Sequence, residues 1–551
     1  MNPPPSTTAA AAESGIADAT RHQRPWLTTT DHKRIAILTG GTALVVFFAM
    51  GVLALLMRYQ LSRPDNHFLS NQVYDEIFTI HGSGMIYLSI TPFALAIGLY
   101  LVPLQIGAPN VAAPRVTMAG FWLYLFGAVI MLSGFSVSTG TAQSGWTEYT
   151  PLSDSRFSPG AGQDLWIAGV FLSTTGLILI GGTVLWTVLL KRARGMTMLR
   201  LPVLCWSVIA TNLMVLGAFP ALLAALGLVV FGRMVPSVFM NNIWNIGYQN
   251  LFWFYAHPVV YVMFFPFVGA VCEVLATFSR RRFFGYTGTA LALLVFAALS
   301  MSVWGHHMFT TGQAADDYYS LTSISLLIPA GIEYFGMLGT ILGGRLVYRT
   351  PMLFALAFIP QFLIGGLTGI MVGTPVLDYQ ERGSYFVVAH FHYTLLAGSV
   401  FGLFAGMYFW FPKMTGRMLS ERLGRWHFWL MVIGTNATFL PMFWMGMLGM
   451  PRRVASYLPE DGIGMPNLIS SCGAAVLGIA MLIFAVNLIR TLRGPATAPD
   501  DPWGGFTLEW ATSSPPPPLN FQGTALPPIT SYAPLLDQRE RAAAQHGTPA
   551  R

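Results

Sequence analysis

Charged side chains are scarce in this sequence. They make up 10% of the 551 residues, whereas hydrophobic residues make up 54%, a balance outside the range of soluble globular domains. Cysteine is also rare, since only Cys205, Cys272 and Cys472 are present, all inside apolar segments and at unrelated spacings. That pattern excludes a cysteine-based metal motif and argues against a disulfide. The composition therefore predicts an integral membrane protein.

Two further features are lacking. No apolar segment precedes residue 35, so we expect no cleavable signal peptide. The formal net charge is +7, but the basic residues are spread over loops and form no patch that would bind nucleic acid. Both points leave the membrane as the expected environment of the chain.

Long apolar runs are what the sequence has instead. Twelve of them, each about 20 residues long, predict an all-α bundle of about twelve transmembrane helices over residues 31–493. Residues 1–30 are predicted to be a disordered N-terminal tail, and residues 494–551 a proline-rich C-terminal tail that is extended and poorly packed. Alternate loops are rich in Lys and Arg, as at Arg280–Arg282, which predicts that both termini are cytoplasmic.

Six of the eleven histidines lie inside predicted spans, where an ionisable group is costly and indicates function. They are His81, His257, His306, His307, His390 and His392. The predicted direction of each span places all six in one layer, roughly a third of the way in from the outer face. One depth shared by four helices indicates a polar or metal-bearing layer.

The pair His390 and His392 carries the most information about cofactors. Residues two apart on a helix are about 200° apart around its axis, so these imidazoles cannot bind one metal but can serve two haems. His81 could complete a bis-histidine haem with His392, which leaves His390 as the only protein ligand of a second haem. His257, His306 and His307 then form a three-imidazole set of the kind that copper favours.

Several segments carry a family resemblance. WFYAHPVVY (253–261), SVWGHHMF (302–309), YFVVAHFHY (385–393) and GMPRRV (449–454) resemble subunit I of the haem-copper oxygen reductases, in particular the mitochondrial-type branch. Matching segments cover nearly the whole chain. The resemblance implies His81 and His392 as low-spin haem ligands and His390 as the high-spin haem ligand. It also implies His257, His306 and His307 as copper ligands.

The resemblance assigns four further side chains. Tyr261 matches a tyrosine that is joined covalently to the copper-ligand histidine and supplies an electron and a proton for O–O cleavage. Arg452 and Arg453 match the pair that neutralises haem propionates, which suits the arginine fork. Arg58 matches the arginine beside a haem formyl group, which favours haem A over haem B or O.

The chain departs from the family pattern mainly at positions whose side chains conduct protons. Val259 and Asn110 stand where the family has a glutamate and an aspartate of one proton channel, and neither can relay a proton. Glu333 aligns with the lysine of the second channel, and we expect it to be hydrogen-bonded, paired or protonated in the bilayer. Glu273 could belong to the same inward path. Arg382 occupies part of the usual non-redox magnesium site, so that metal is expected to be absent.

These observations leave three candidate functions, two redox reactions and membrane transport. The leading interpretation is a respiratory terminal oxidase that reduces O2 to water, with the interrupted channel arguing against proton pumping. The alternative is a nitric oxide reductase that converts NO to N2O with non-haem iron in place of copper. A transporter would show broken helices around a midplane site, which this layer does not resemble.

The resemblance also implies partners and a location. The chain has no cysteine pair to hold an electron-accepting copper, so electrons must enter through a partner resembling subunit II, from cytochrome c or a quinol. Further oxidase subunits and membrane lipid are expected partners, and nucleic acid is not. The expected location is the bacterial cytoplasmic (inner) membrane.

Overall fold

The computed structural model describes residues 25–546 of the chain. It contains twelve helices that are long and apolar enough to span a membrane, which confirms the predicted all-α fold. They are α1 (His32–Gln60), α2 (Asn71–Gln105), α3 (Pro114–Ser136), α4 (Ala161–Leu190), α5 (Val203–Met234), α6 (Asn242–Phe278), α7 (Tyr286–Thr311), α8 (Asp316–Leu342), α9 (Thr350–Val372), α10 (Tyr385–Thr415), α11 (Glu421–Met447) and α12 (Gly464–Arg493).

The central helices are the ones that carry most of the histidine layer. In their most apolar windows, 89% of residues in α2, 89% in α6 and 78% in α10 are buried, against 22% in α1 and 28% in α12. A helix that is apolar on all sides and surrounded by others belongs to the interior of the bundle. The fold therefore places His81, His257, His390 and His392 away from lipid.

Small residues let neighbouring helices approach closely. A Cβ added to Gly127 of α3 would lie 2.5 Å from the carbonyl oxygen of Gly169 in α4. A Cβ on Gly120 would lie 2.7 Å from the carbonyl oxygen of Gly176 one step further along the same pair. Backbone contact through small residues is the usual basis of helix association in a membrane, where burial of apolar surface gives little.

The C-terminal segment differs from its prediction. It is largely without regular structure, yet Leu508, Glu509 and Asn520 are fully buried. Asn520 Oδ1 accepts a hydrogen bond of 2.8 Å from Lys33 Nζ at the start of α1. Glu509 Oε1 accepts bonds from the side chains of Gln105 and Trp410, at 3.1 and 3.0 Å.

The prediction of poor packing is therefore wrong for much of the segment between residues 503 and 537, whereas both ends of the tail are largely exposed. The physical reason is that buried polar side chains and the Trp503 indole, which donates to the Phe409 carbonyl oxygen, find partners on the spans. The segment ends in a short helix, Pro534–Gln545, where Asp537 forms a 2.7 Å ion pair with Arg282. Most of the predicted N-terminal tail, residues 1–24, lies outside the described residues, whereas Thr29 is buried.

Candidate metal centre and haem sites

Three imidazoles come together between α6 and the C-terminal end of α7. The ligand nitrogens of His257, His306 and His307 all lie within 4.8 Å of one another, the only such group found in residues 25–546. His257 Nδ1 is 3.1 Å from His307 Nε2, and His306 Nε2 is also 3.1 Å from His307 Nε2. Neutral imidazoles converging on one point suit copper and other borderline metals.

Neighbouring side chains hold two of these rings. His306 Nδ1 is 2.6 Å from Ser323 Oγ at the start of α8. His307 stacks on Trp253, with ring centroids 3.9 Å apart and planes 14° apart, and the Trp253 indole donates to the Tyr149 hydroxyl at 2.8 Å. Partners on the far side of a ligand fix its orientation and tautomer. The sequence did not single out either residue. Trp253 lies one helical turn before His257, a spacing that could have indicated it, whereas no spacing connects Ser323 to the cluster.

Tyr261 lies beside the cluster, as the spacing of one helical turn from His257 predicts. The two ring centroids are 4.8 Å apart. His257 Nε2 is buried and has no hydrogen-bond partner among the described residues. Because Nδ1 of the same ring faces His307, the Nε2 edge is left for a contact other than the metal.

His81 and His392 each have a hydrogen-bond partner for Nδ1, which leaves Nε2 available to a metal. His81 Nδ1 lies 2.8 Å from the carbonyl oxygen of Met50, and His392 Nδ1 lies 2.8 Å from that of Val388. A carbonyl oxygen can only accept, so Nδ1 carries the proton and Nε2 keeps its lone pair. The two imidazoles interact electrostatically, which places them near each other across the bundle. The geometry fits a bis-histidine haem.

His390 points to a different neighbour. Its Nδ1 is 3.1 Å from both the Gly365 carbonyl oxygen and the Thr368 hydroxyl on α9. The His392 ring instead stacks on Phe439 of α11, with centroids 4.3 Å apart. The two rings therefore lie on opposite sides of α10, as predicted for residues that are two positions apart on a helix. His390 also interacts electrostatically with His257 and His306, so it lies near the three-imidazole cluster.

Both candidate haem helices change their winding after the histidines. A wider π-helical turn runs over Gly84–Ile90 in α2 and over Leu395–Val400 in α10. Such turns are rare and are frequent at functional sites, where they re-aim the side chains that precede them. No feature of the sequence pattern predicted them.

Arg58, predicted to lie beside a haem, has spare hydrogen-bonding capacity. Its Nη2 donates to the Asn467 carbonyl and side-chain oxygens, both at 2.9 Å, and to Ser471 Oγ at 3.0 Å. Its Nε and Nη1 are buried without a hydrogen-bond partner in the described part of the chain. A buried guanidinium with two free donor groups fits an acceptor supplied by a bound cofactor.

Arg452 and Arg453 lie in the loop between α11 and α12. Desolvation, followed by repulsion from Arg453, lowers the pKa of Arg452 to about 10. Arg453 Nη2 donates to Thr147 Oγ1 at 3.3 Å, which ties this loop to the one between α3 and α4. Two adjacent, partly desolvated guanidinium groups call for anionic partners, and carboxylates of a bound haem would be suitable.

Glu333 lies on α8, the same helix as Ser323, the partner of His306. It is 3% exposed, and its Oε1 has no hydrogen-bond partner within residues 25–546. It interacts electrostatically with Tyr261 and with Cys272, which neighbours Glu273 in α6. Asn110, at the usual channel entry, donates to the Thr30 carbonyl oxygen at 2.8 Å and thus joins two loops.

Comparisons with known proteins establish the family of the chain. The family model described as Cytochrome C and Quinol oxidase polypeptide I matches residues 34–476. The probable cytochrome c oxidase subunit 1-beta of Nocardia farcinica is 46% identical over 93% of this chain and 88% of its own length. The cytochrome c oxidase subunit 1 of Corynebacterium efficiens is 45% identical over 94% of this chain and 90% of its own.

One solved structure is similar in fold. It is a heme-copper terminal oxidase dimer determined by cryo-EM, with a TM-score of 0.70, 17% identity and 84% coverage of each chain. At that identity the likeness supports the fold alone. The extent of the family match and the identity of the curated relatives go further, and they show that this chain belongs to the cytochrome c and quinol oxidase polypeptide I family.

Proposed function

We propose that this chain is the catalytic subunit of a respiratory terminal oxidase that reduces O2 to water. The observation that carries the proposal is the three-imidazole cluster with Tyr261 one turn from His257 and His390 facing it. Family membership supports the same activity. Bound haem and copper would pass on electrons from the donor and supply the redox metals for the reduction of O2.

The residues of the chain would then have distinct tasks. His81 and His392 would hold a low-spin haem, His390 a high-spin haem, and His257, His306 and His307 the copper. This donor set contains no carboxylate, which favours copper over an iron held partly by oxygen ligands. Arg452, Arg453 and Arg58 would bind the polar substituents of the haems. The free donors of Arg58 support haem A over haem B or O.

Tyr261 and Glu333 would handle protons. The Tyr261 phenol lies beside the copper ligand His257 and would give a proton to the reacting oxygen. Glu333 is buried on α8, interacts electrostatically with Tyr261 and would deliver the next proton to it. Glu273, which neighbours Cys272, would be the preceding group on the cytoplasmic side. With Val259 and Asn110 in place, the proposal includes no pumping through the usual channel.

Nitric oxide reduction is the second candidate. Two features favour it. The buried Glu333 has a carboxylate that could ligate iron. Val259 stands where the family has a glutamate of the proton channel. Tyr261 favours oxygen, since NO coupling to N2O breaks no O–O bond. The three-imidazole cluster without a carboxylate favours oxygen as well.

The proposal also covers the partners of the protein and its orientation in the membrane. Relatives named cytochrome c oxidase subunit 1 support cytochrome c over a quinol as donor, with electrons entering through a partner resembling subunit II. We place the protein in the bacterial inner membrane with both termini cytoplasmic, because the basic loops are expected on that side. Assignment to the mitochondrial-type branch remains a prediction from the resemblance.

Turnover and metal content of the purified complex test the function together. We expect O2 consumption with reduced cytochrome c, two haems per chain and copper at the second site. Iron at that site, with NO reduction and no O2 reduction, would establish the alternative. Absence of haem absorption from a correctly folded complex would refute both redox functions.

A further inference from the structure

The guanidinium group of Arg382 contacts the backbone of two proposed copper ligands. Arg382 lies in the loop between α9 and α10, and its Nη2 donates to the backbone carbonyl oxygen of His306 at 2.6 Å. Its Nη1 donates to the carbonyl oxygen of His307. Both residues are predicted copper ligands, and a single side chain therefore holds the backbone behind two of the three imidazoles.

The guanidinium is itself fixed in place. Arg382 Nε and Nη2 contact Asp378 Oδ2 at 2.7 and 2.5 Å, and Asp378 is 3% exposed. Asp378 belongs to the short helix Pro375–Glu381, and Arg382 follows the end of that helix. A planar group with five donors can bind one carboxylate and two carbonyls at once, which a lysine ammonium cannot do with the same geometry.

The backbone after Arg382 continues directly into the haem-binding helix. Gly383 accepts a 2.8 Å bond from the backbone N–H of Arg452, and Tyr385 donates one of 2.9 Å to the Met450 carbonyl oxygen. Ser384 caps the N-terminus of α10, where its side chain accepts from Phe386 N–H. His390 follows on that helix. The segment from Arg382 to His390 is thus anchored at its start by these bonds and at its end by the contacts of His390 Nδ1 with Gly365 and Thr368.

We propose that Arg382 is a positioning residue that sets the separation between the copper ligands and the helix carrying the high-spin haem ligand. The proposal rests on the proposed function, because it takes the three imidazoles as ligands of a non-haem metal. Without the guanidinium, the C-terminal end of α7, Trp304–Thr311, loses both bonds from Arg382 and keeps only the 3.5 Å bond from the Tyr379 hydroxyl to the Phe309 carbonyl oxygen as a hydrogen bond to the loop before α10 in the described residues. The two ligand groups could then move apart, and copper would be held less tightly.

The test measures how firmly the purified complex retains copper. Arg382→Met keeps the length of the side chain and removes all five donors, and Arg382→Lys restores the charge without the fork. We expect roughly tenfold weaker copper retention in a chelator titration for Arg382→Met, the size found when the support of a metal ligand is lost. Arg382→Lys should lie between that variant and the wild type. The low-spin haem spectrum should not change.

Arg233 provides a matched control. Its Nε contacts Asp164 at 2.7 Å, and its Nη1 donates to the carbonyl oxygens of Ser153 and Ser158, at 3.0 and 2.6 Å. It lies in the last turn of α5 and thus joins a carboxylate to two backbone carbonyls of the loop between α3 and α4, neither of which belongs to a candidate copper ligand. Arg233→Met should keep copper as firmly as the wild type.

Asp378→Asn gives a second, milder variant. It removes the charge that holds the guanidinium and leaves the bonds from Arg382 to the two carbonyls available. A smaller loss of copper retention than in Arg382→Met is expected.

The outcomes separate this inference from the proposed function. If the wild-type complex holds no copper, the proposed function fails. If the wild type holds copper and Arg382→Met retains it equally well, the positioning role is wrong. Equal losses in Arg382→Met and Arg233→Met would also overturn it, because the effect would then be general loosening of the outer loops.

Discussion

The histidine layer and the region around Glu333 are built in opposite ways. In the histidine layer the candidate ligands His81, His306, His390 and His392 are partly buried, and each has a partner for Nδ1. Glu333 is buried more deeply, at 3% exposure, but one carboxylate oxygen has no protein partner in residues 25–546. Rings whose orientation is fixed in advance suit metal binding. A carboxyl group with an unused oxygen suits water and proton exchange.

The largest effect is expected when the two faces of α10 are tested separately. His390→Ala should abolish the high-spin haem and keep the low-spin one, whereas His392→Ala should do the reverse, because the rings face α9 and α11 respectively. Optical spectra of the purified variants measure this. Loss of the same haem from both variants would contradict the two-sided arrangement.

The next effect concerns the phenol of Tyr261. Tyr261→Phe should keep both haems and the copper, because the ring packs beside His257 with or without its hydroxyl. O2 reduction should fall by at least about 100-fold, the size of a lost acid-base group. Spectra, copper content and oxygen-electrode rates are compared on one preparation. Turnover within a few-fold of wild type would exclude a reacting phenol.

Glu333→Gln should have a smaller effect on turnover. We expect a loss on the order of 10- to 100-fold with both haem spectra unchanged, and less for Glu333→Asp, because only a carboxyl group can take up and release the proton. Steady-state O2 consumption measures it. Loss of the non-haem metal would instead identify Glu333 as a ligand and support nitric oxide reduction.

Glu148 is the matched control for Glu333. It is also fully buried with one partnerless oxygen among the described residues, and desolvation raises its pKa to about 8, but it lies in the loop between α3 and α4. Glu148→Gln should leave turnover within a few-fold of wild type. Equal slowing by both Gln variants would remove the case for a specific relay.

The smallest effects are expected when the side-chain hydrogen-bond partners of two histidines are removed. One of these histidines, His390, also has a backbone carbonyl partner. Ser323→Ala removes the 2.6 Å partner of His306 Nδ1, so copper retention should fall by roughly tenfold. Thr368→Ala should change the high-spin haem little, since the Gly365 carbonyl oxygen also lies 3.1 Å from His390 Nδ1. Chelator titration and haem spectra measure the two. A larger effect from Thr368→Ala than from Ser323→Ala would reverse this ranking.

The sequence by itself determined the features that depend on local periodicity. Hydropathy over about 20 residues defined twelve spans, because each helix must satisfy its own backbone in lipid. The 3.6-residue turn placed His390 and His392 on opposite faces and Tyr261 beside His257. Alternating span directions predicted one depth for six histidines. None of these inferences needed knowledge of which helices are neighbours.

Tertiary structure alone decided which distant groups support the site. Arg382 contacts the backbone of His306, 76 positions away, and Asn520 contacts Lys33, 487 positions away. Composition misled in the second case, because a proline-rich segment is usually solvated, yet here its buried Asn520 and Glu509 find partners on the helices. Hydrogen-bond partners of this kind depend on distance in space and on desolvation, and neither is a periodic property of the chain.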